Sequence, residues 1–397
     1  MKKYQYLIIG GGPSGTFATQ AIRSRDQAGS IGIIDDQGER LYSKVILHQF
    51  ITGEIEKEKL YLESPQWYQE NKIELLSAKV EGINLEEKTV LLPSGEAISF
   101  EKLLLALGGT PRKLNVRGEN LAGISNLYSL SDAEKIKNEL EKAKKIVIIG
   151  GGFLTIDIVS TLARVGKDVT VVARTQRILQ EKIGPKGSEI VEKIMAGESV
   201  KFEFNASVER FEGRTAVEKV VLTSGKILAA DMVIVAVGIV PNISLAQASG
   251  LKVGKGIIVD QKQESSEKDV YAAGDLCEVT RQNLPESFVP GNWHFAVSSG
   301  RTAGLNMAGA NEQNDDLPLV SKMLPNLKLS FAGFINEKYF ADEFCSENKY
   351  ICSYRNDDYL VGLSTINLSQ PVFELKKFLG QKYDKELILG FLRSGRD

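Results

Sequence analysis

The chain has 397 residues, of which 43% are hydrophobic and 25% charged, and its formal net charge is −2. This composition is typical of a globular protein of two or three domains, and the balanced charge excludes a broad nucleic-acid-binding surface, which needs a basic surplus. No apolar run reaches the length of a membrane-spanning helix. The N-terminal residues lead directly into a glycine-rich turn, so we expect no signal peptide and a cytoplasmic location.

The N-terminal segment alternates strand and helix signals around that turn. Apolar residues predict a strand at residues 4–10, a helix at Pro13–Arg25 and a second strand at residues 31–34. A strand, a crossover helix and another strand form a unit with parallel strands.

The same pattern recurs in the middle of the chain. Lys145–Ile149 predicts a strand, residues 154–165 a helix and Asp168–Val172 a strand, and a glycine triplet begins at Gly150 as one does at Gly10. We therefore expect an α/β fold with two Rossmann-like dinucleotide-binding domains in one chain.

Further strands are predicted at residues 73–77, 88–92, 102–107 and 232–237. The polar residues 311–316 predict a linker. Beyond this linker we expect a small α+β C-terminal domain, with strands at residues 327–331, 350–354 and 360–364 and a helix at 372–379.

The first glycine turn fits the pattern G-x-G-x-x-G, formed by Gly10, Gly12, Pro13, Ser14 and Gly15. The glycines allow a tight turn, close approach of a pyrophosphate and close packing of helix on strand, and the helix N-terminus offers N–H groups to the phosphates. Asp35 and Asp36 end the next strand, where a carboxylate binds a ribose, and we prefer Asp36. The segment is thus predicted to bind a dinucleotide.

The cysteines and histidines are few and scattered. Cys277, Cys345 and Cys352 form no C-x-x-C pair, and three thiols are too few for a four-cysteine iron–sulfur cluster. Cys277 is expected to be an inert small residue. His48 and His294 lie far apart, so we expect neutral structural histidines and no metal site.

Four further stretches, in this order, resemble segments of one flavoprotein family: residues 105–112 (LALGGTPR), 235–242 (VAVGIVPN), 269–275 (DVYAAGD) and 292–307 (NWHFAVSSGRTAGLNM). With the two glycine turns, they make the chain resemble the FAD-dependent pyridine nucleotide-disulfide oxidoreductases. The most similar branch contains rubredoxin, ferredoxin and nitrite reductases and apoptosis-inducing factor. The resemblance covers residues 1 to about 310 well and the rest weakly.

The resemblance implies a discontinuous FAD-binding domain of residues 1–112 and 235–310, an inserted NAD(P)H-binding domain of residues 113–234 and a C-terminal interface domain of residues 315–397. The FAD contacts that it implies are Gly10, Gly12, Pro13, Ser14, Gly15, Asp35, Asp36, Lys44, Val80, Ala106, Leu107, Gly108, Arg112, Gly274, Asp275, Trp293 and Ala296. The NAD(P)H contacts that it implies are Gly150, Gly152, Phe153, Leu154, Asp157, Arg174, Arg177 and Gly238.

The second glycine turn departs from the family pattern. Thr155 replaces the third glycine, so we expect looser packing of its helix, and Asp157 stands where the family has a glutamate near the nicotinamide. Ala173 occupies the ribose-acid position, with Arg174 and Arg177 nearby. A 2′-phosphate suits arginine and is repelled by a carboxylate, so we favour NADPH over NADH as donor. The alternative is that both arginines are solvated surface charges.

Residues 42–49 (YSKVILHQ) resemble the family's Y-x-R-P-x-L-S-K stretch, which approaches the FAD. Lys44 takes the position of the arginine, and Gln49 takes that of the lysine at the flavin. Losing this cation disfavours the anionic reduced flavin. Lys44, Gln49 and Asp157 are therefore candidate contacts near the reacting rings, and no side chain is predicted to be catalytic by itself.

Residues 40–52 contain no cysteine, which removes the reactive thiolate of the disulfide reductases, peroxidases and cysteine-type oxidases. The predicted activity is hydride transfer from NADPH or NADH to FAD, followed by electron transfer to a small redox protein of the rubredoxin or ferredoxin kind, or to a small-molecule acceptor. Two alternatives remain: a nucleotide-sensing flavoprotein whose reduction controls assembly, and an FAD-bearing subunit of a larger redox complex. A homodimer is left open.

Overall fold

The computed structural model describes residues 1–196, 200–281, 287–324, 326–335, 338–346, 348–368 and 370–394, with side chains omitted at 370, 371, 373 and 391–394. The last residues of the predicted C-terminal domain, 395–397, lie outside these ranges. The chain forms two compact units. Unit 1 is Met1–Ser43, Tyr61–Thr110 and Val240–Leu319, and unit 2 is Lys44–Leu60, Pro111–Ile239 and Val320–Asp397.

Unit 1 is built on a seven-stranded sheet. Its strands, in spatial order, are Ile73–Ser77, Ile31–Asp35, Lys2–Ile9, Ala97–Leu105, Thr89–Leu91 and Gly82–Asn84, and Val270–Ala272 also pairs with Ala97–Leu105. The strands around Lys2–Ile9 run parallel, whereas Gly82–Asn84 and Thr89–Leu91 are antiparallel. Leu7 and Ile8 are fully buried, as expected for a strand covered on both faces.

The helices of unit 1 are Pro13–Arg25, Pro65–Glu70, Ser244–Ala248 and Trp293–Met307. Ile22, Ala303 and Met307 pack with the strand residues Ile8 and Ile33 in one hydrophobic core. The remaining short strands that contain residues of this unit are Gly109–Pro111, Ile239–Pro241, Ile257–Ile258 and Cys277–Glu278.

Unit 2 contains a five-stranded parallel sheet in the order Lys201–Glu203, Asp168–Val172, Lys145–Ile149, Met232–Val235 and Ile124–Asn126. An antiparallel sheet of Val208–Glu212, Lys219–Leu222 and Ile227–Ala229 accompanies it. The helices before residue 200 are Leu47–Ile51, Leu130–Leu140, Phe153–Arg164 and Pro185–Ala196. The predicted pair of parallel dinucleotide-binding folds is confirmed.

The C-terminal part of unit 2 is a five-stranded antiparallel sheet, which we call the C-terminal sheet. Its strands in spatial order are Leu319–Leu324, Leu327–Gly333, Tyr359–Ile366, Lys349–Asn356 and Phe340–Ser346, and its helices are Gln370–Leu375 and Lys385–Ser394.

Several features of this part differ from the sequence-based expectation, and strand Leu319–Leu324 and helix Lys385–Ser394 are among the elements that it lacked. The sequence pattern did not reveal Phe340–Ser346, because the apolar residues of this edge strand do not alternate with polar ones and none of its residues is fully buried. The helix predicted at residues 372–379 is shorter, since a 3₁₀ turn at Lys376–Phe378 follows Gln370–Leu375. Within the described residues, no helix is long and apolar enough to cross a bilayer.

Candidate dinucleotide-binding sites

The first fingerprint loop, residues 10–15, has a backbone that requires glycine at two positions. Gly10 has φ +110°, and a β-carbon there would overlap the carbonyl oxygen of Ala106. A β-carbon at Gly15 would overlap the carbonyl oxygen of Gly10. The loop therefore brings the strand end, the helix start and the neighbouring strand into backbone contact.

The N-terminus of helix Pro13–Arg25 leaves room for an anion. Gly12 is the N-cap and provides no side-chain hydrogen bond, and the first turn contains no acidic residue. A β-carbon at Gly12 would meet no atom within 4 Å. The first-turn N–H groups of Ser14 and Gly15 have no partner within the helix, so this loop fits the pyrophosphate of a dinucleotide.

A carboxylate lies beside the same loop. Oδ2 of Asp35 accepts a hydrogen bond from the Gly11 N–H at 2.7 Å, whereas Asp36 is exposed. A pocket next to Asp35 is walled by apolar residues that include Ile33 and Leu76. A carboxylate beside an apolar wall fits a ribose and an adenine, so the geometry favours Asp35 over Asp36, the residue preferred from the sequence.

A second helix closes the other side of the first fingerprint loop. Gly274 has φ +90°, its N–H donates to Oγ of Ser299 at 3.0 Å, and a β-carbon there would overlap the Ser14 hydroxyl. β-Carbons at Gly300 and Gly304 would overlap the backbone of Ser14 and Ala18. Ser299, Gly300 and Gly304 were not predicted as site residues, although glycines four residues apart on one helix face are a signal for close helix packing.

The remaining predicted FAD contacts of unit 1 lie on several of its segments. Asn242 bonds to two of these predicted contacts, since its Nδ2 donates to the carbonyl of Leu107 at 3.0 Å and its N–H donates to the carbonyl of Gly108 at 2.9 Å. Asp275 directly follows Gly274 in sequence. The other predicted contacts are half-buried Trp293 and buried Ala296 in the first turn of helix Trp293–Met307, and buried Val80 before strand Gly82–Asn84.

The second fingerprint loop, residues 150–155, repeats the backbone geometry of the first. Gly150 has φ +142°, and a β-carbon there would overlap the carbonyl oxygen of Ala236, while one at Gly152 would meet nothing within 4 Å. Thr155 is fully buried beside Gly150. The first helical hydrogen bond, from Ile156 to Gly152, measures 3.4 Å, whereas its counterpart in the first loop, from Thr16 to Gly12, measures 3.0 Å. The loop still fits a pyrophosphate, and only its first helical hydrogen bond is longer than that of the first loop.

Ala173 is the structural counterpart of Asp35. A β-carbon at Gly151 would lie 3.3 Å from Cβ of Ala173, and one at Gly11 would lie 3.3 Å from Cβ of Asp35. The ribose carboxylate of the first loop is therefore replaced by a methyl group in the second. Arg174 is exposed immediately beyond Ala173, whereas Arg177 is half-buried and its charge acts on Glu192.

One face of helix Phe153–Arg164 gathers three contacts at intervals of four residues. The ring of Phe153 stacks on Phe331 with a centroid separation of 4.9 Å and an interplanar angle of 6°. Asp157 forms an ion pair with Lys322, and the Asp157 side chain is only 3% exposed. Leu154, the other predicted contact of this helix, is half-buried.

Thr161, the third residue of this face, lies beside His48. Its hydroxyl is 2.8 Å from Nδ1 of His48. Burial lowers the pKa of His48, with Asp157 acting in the opposite direction and Lys322 in the same one. His48 is thus a neutral structural histidine at neutral pH, as expected from the sequence.

The other predicted contacts of unit 2 lie in its first segment, Lys44–Leu60, and near the two ends of its second, Pro111–Ile239. The Lys44 ammonium stands 3.8 Å from the centroid of the Tyr128 ring, and Gln49 is half-buried. The N–H of Arg112 donates to the carbonyl of Gly238 at 2.9 Å, and Gly238 has φ +93°.

The thiols are free and of two kinds. Cys277 and Cys352 are buried, whereas Cys345 is exposed. Burial raises the pKa of the Cys277 thiol well above its usual range and that of Cys352 to about 12. Both stay protonated at neutral pH, which agrees with the inert role expected for Cys277.

Two glycine-loop folds in one chain, each with an open helix N-terminus, define the class of proteins that bind two dinucleotides. The model of the pyridine nucleotide-disulphide oxidoreductase family matches residues 4–300, and the chain belongs to this family. It is accordingly an oxidoreductase that uses FAD and NADH or NADPH.

Several proteins of known activity are similar to it. Rubredoxin-NAD(+) reductase from Pseudomonas putida is 30% identical over 335 residues, which are 83% of this chain and 87% of that protein. Putidaredoxin reductase from Pseudomonas putida is 30% identical over 290 residues, which are 70% of this chain and 67% of the relative. The fold matches the covalent putidaredoxin reductase–putidaredoxin complex with a TM-score of 0.91 at 24% identity, over 99% of both chains.

Proposed function

We propose that this protein transfers electrons from NAD(P)H through FAD to a small redox protein of the rubredoxin or ferredoxin kind. The observation that carries the proposal is the pair of unequal fingerprint loops, one with the Asp35 carboxylate and one with Ala173 in its place. The names of relatives that align over most of the chain support the acceptor class.

The first fingerprint loop is proposed to hold FAD. Gly12 leaves space for the pyrophosphate, Ser14 and Gly15 offer N–H groups to it, and Asp35 binds the adenosine ribose. Bound FAD supplies the chemistry of accepting a hydride and releasing single electrons. The role of the chain is to orient that group and to exclude water from it.

The second fingerprint loop is proposed to hold the electron donor. Gly150 and Gly152 receive its pyrophosphate, and Phe153 and Asp157 lie on the helix face beyond it. We propose NADPH as the preferred donor, because Ala173 removes the carboxylate that would repel a 2′-phosphate and exposed Arg174 can pair with it.

The two buried thiols argue against electron transfer through a thiol intermediate on these residues. Cys277 and Cys352 are protonated, so neither provides the thiolate that thiol-based reductases need. The reducing equivalents therefore leave without a covalent thiol intermediate on these residues.

A stopped-flow experiment without oxygen tests the proposal. The purified holoprotein is mixed with NADPH or NADH while the flavin absorbance is followed, and rubredoxin or ferredoxin is added in a second mixing step. We expect bleaching within seconds and return of the absorbance with the protein acceptor. Bleaching over minutes, coupled to a change in oligomeric state, would instead indicate a sensor, and no bleaching with either nucleotide would refute electron transfer from NAD(P)H.

A further inference from the structure

The C-terminal sheet contributes a cation to the second dinucleotide fold. Lys322 lies on strand Leu319–Leu324, and its ammonium forms an ion pair with Asp157, in the second turn of helix Phe153–Arg164. The side chains are 18% and 3% exposed, respectively. Burial of a carboxylate costs free energy unless a cation or hydrogen-bond donors compensate its charge, and Lys322 is the cation paired with Asp157.

The position of Lys322 is fixed by its neighbours. The hydroxyls of Ser321 and Ser330 lie 2.9 Å apart and link the strand of Lys322 to Leu327–Gly333. Phe331 on that second strand stacks on Phe153, one helical turn before Asp157. Two adjacent strands thus contact the same helix face at two points. The pairing of the strands and the stacking of Phe331 on Phe153 together hold Lys322 against Asp157.

Among the residues that the structure describes, several other charged or titratable groups near this face are engaged elsewhere or neutral. His48 is close enough to act on it electrostatically but is neutral, because burial lowers its pKa. Arg164 and Glu54, which also act on His48, form a pair of their own at 2.7 Å. Lys182 lies over the Phe331 ring at 5.9 Å. Lys322 is therefore the group that sets the net charge of the helix face at Asp157.

This net charge bears on the redox state of a bound pyridine nucleotide. The nicotinamide ring is neutral in the reduced form and positively charged in the oxidised form. An uncompensated carboxylate beside it would attract the oxidised form selectively and slow product release. We propose that Lys322 is a specificity-determining residue: by neutralising Asp157, it keeps the site from binding the oxidised nucleotide more tightly than the reduced one.

The inference rests on the proposed function, in that the nucleotide must bind at the second fingerprint loop with its nicotinamide end toward Asp157. Binding is therefore measured separately from turnover. The probes are NADP⁺ and NAD⁺, with a charged ring, and the corresponding 1,4,5,6-tetrahydro analogues, which have a neutral ring and donate no hydride. Isothermal titration of the oxidised holoprotein gives a Kd for each probe.

The decisive variant is Lys322→Met, which removes the charge but keeps much of the side-chain volume. We expect it to lower the Kd of the oxidised nucleotide about tenfold and to leave that of the tetrahydro analogue within about twofold. Lys322→Arg should behave as the wild type. Lys328→Met, which removes a lysine from the neighbouring strand of the same sheet, is the matched control and should change neither value.

Two further variants keep the inference testable if Lys322→Met does not fold. Asp157→Asn leaves Lys322 uncompensated and should weaken the oxidised nucleotide relative to the analogue. The double variant Asp157→Asn/Lys322→Met should return the ratio of the two Kd values close to that of the wild type. Equal changes for both probes, or no change, would overturn the role of Lys322 while leaving the proposed function intact. Failure of the wild type to bind either probe would overturn both.

Discussion

Gly300 lies against Ser14 so closely that a β-carbon at position 300 would overlap the Ser14 carbonyl oxygen. This contact joins helix Trp293–Met307 to the first turn of helix Pro13–Arg25, where the first fingerprint loop ends. The shape of the proposed FAD cradle therefore depends on a residue far from it in sequence.

Gly300→Ala should weaken FAD binding. The added methyl group must push the two helices apart or strain the backbone of Ser14, and overpacking of this kind costs about 1–3 kcal/mol. We expect a lower flavin-to-protein absorbance ratio and a lower Tm. Gly82→Ala is the matched control, because its β-carbon would meet only Cβ of Leu91, at 3.8 Å. Full flavin content and an unchanged Tm in Gly300→Ala would contradict the role of the Gly300–Ser14 contact in FAD binding.

Ala173→Asp should move the donor preference toward NADH. The new carboxylate would stand against Gly151 as Asp35 stands against Gly11, where it can bind a 2′-hydroxyl and repels a 2′-phosphate. We expect the ratio of kcat/KM for NADPH to that for NADH to fall at least about tenfold. An unchanged ratio would show that the ribose does not lie beside Ala173.

Arg174→Gln should raise KM for NADPH about tenfold and change that for NADH little, since a charge-assisted hydrogen bond to the 2′-phosphate is lost. Arg214→Gln removes the same charge from an exposed turn of the same unit and is the control. Equal effects of the two substitutions on KM would indicate only a general electrostatic contribution. In the wild type, a higher kcat/KM for NADH than for NADPH would refute the proposed preference for NADPH.

His48 should make the protein less stable in mild acid. Its pKa is lowered by burial in the folded chain, so the unfolded chain takes up a proton at higher pH, near the usual value of about 6.5. The contribution of neutral His48 to the free energy of unfolding is complete above that pH. It is lost as the pH falls below it, and the free energy of unfolding then declines by at most about 1.4 kcal/mol per pH unit.

This pH dependence is measured as Tm against pH for the wild type and for His48→Gln, which should show a shallower decline below pH of about 6.5. An NMR titration of the imidazole checks the pKa directly. The chain contains two histidines, so in the variant His294→Gln the remaining imidazole signal belongs to His48. A His48 pKa at or above the ordinary value would contradict the prediction.

Cys345 should be the one thiol that reacts quickly in the native protein. Burial raises the pKa of all three thiols, so access decides which one reacts first: Cys277 and Cys352 are buried, whereas Cys345 is exposed. We expect one equivalent of fast alkylation by iodoacetamide in the wild type and none in Cys345→Ser. Flavin reduction by NAD(P)H should be equal in the two proteins, and a slower rate in Cys345→Ser would reveal a thiol step that the proposed function lacks.

Much of the fold can be predicted from local sequence. Helix Pro13–Arg25 and strands Lys145–Ile149 and Asp168–Val172 have the predicted bounds, because apolar periodicity and glycine turns act within a few residues. The glycines at 10 and 150 are likewise dictated locally, by a backbone conformation that other residues rarely adopt. The sequence alone thus determined that the chain has two dinucleotide folds and that the second lacks the ribose acid.

Only the tertiary structure decided which side chains meet. It brought the Asp35 carboxylate into hydrogen-bond contact with the Gly11 N–H and left Asp36 exposed, because strand twist and loop path set the direction of adjacent side chains. It also brought Lys322 to Asp157 from the C-terminal sheet, across a separation of 165 residues. Such a pairing has no periodic signal in the sequence, since it arises when separately formed elements pack and a buried charge must find its counter-charge.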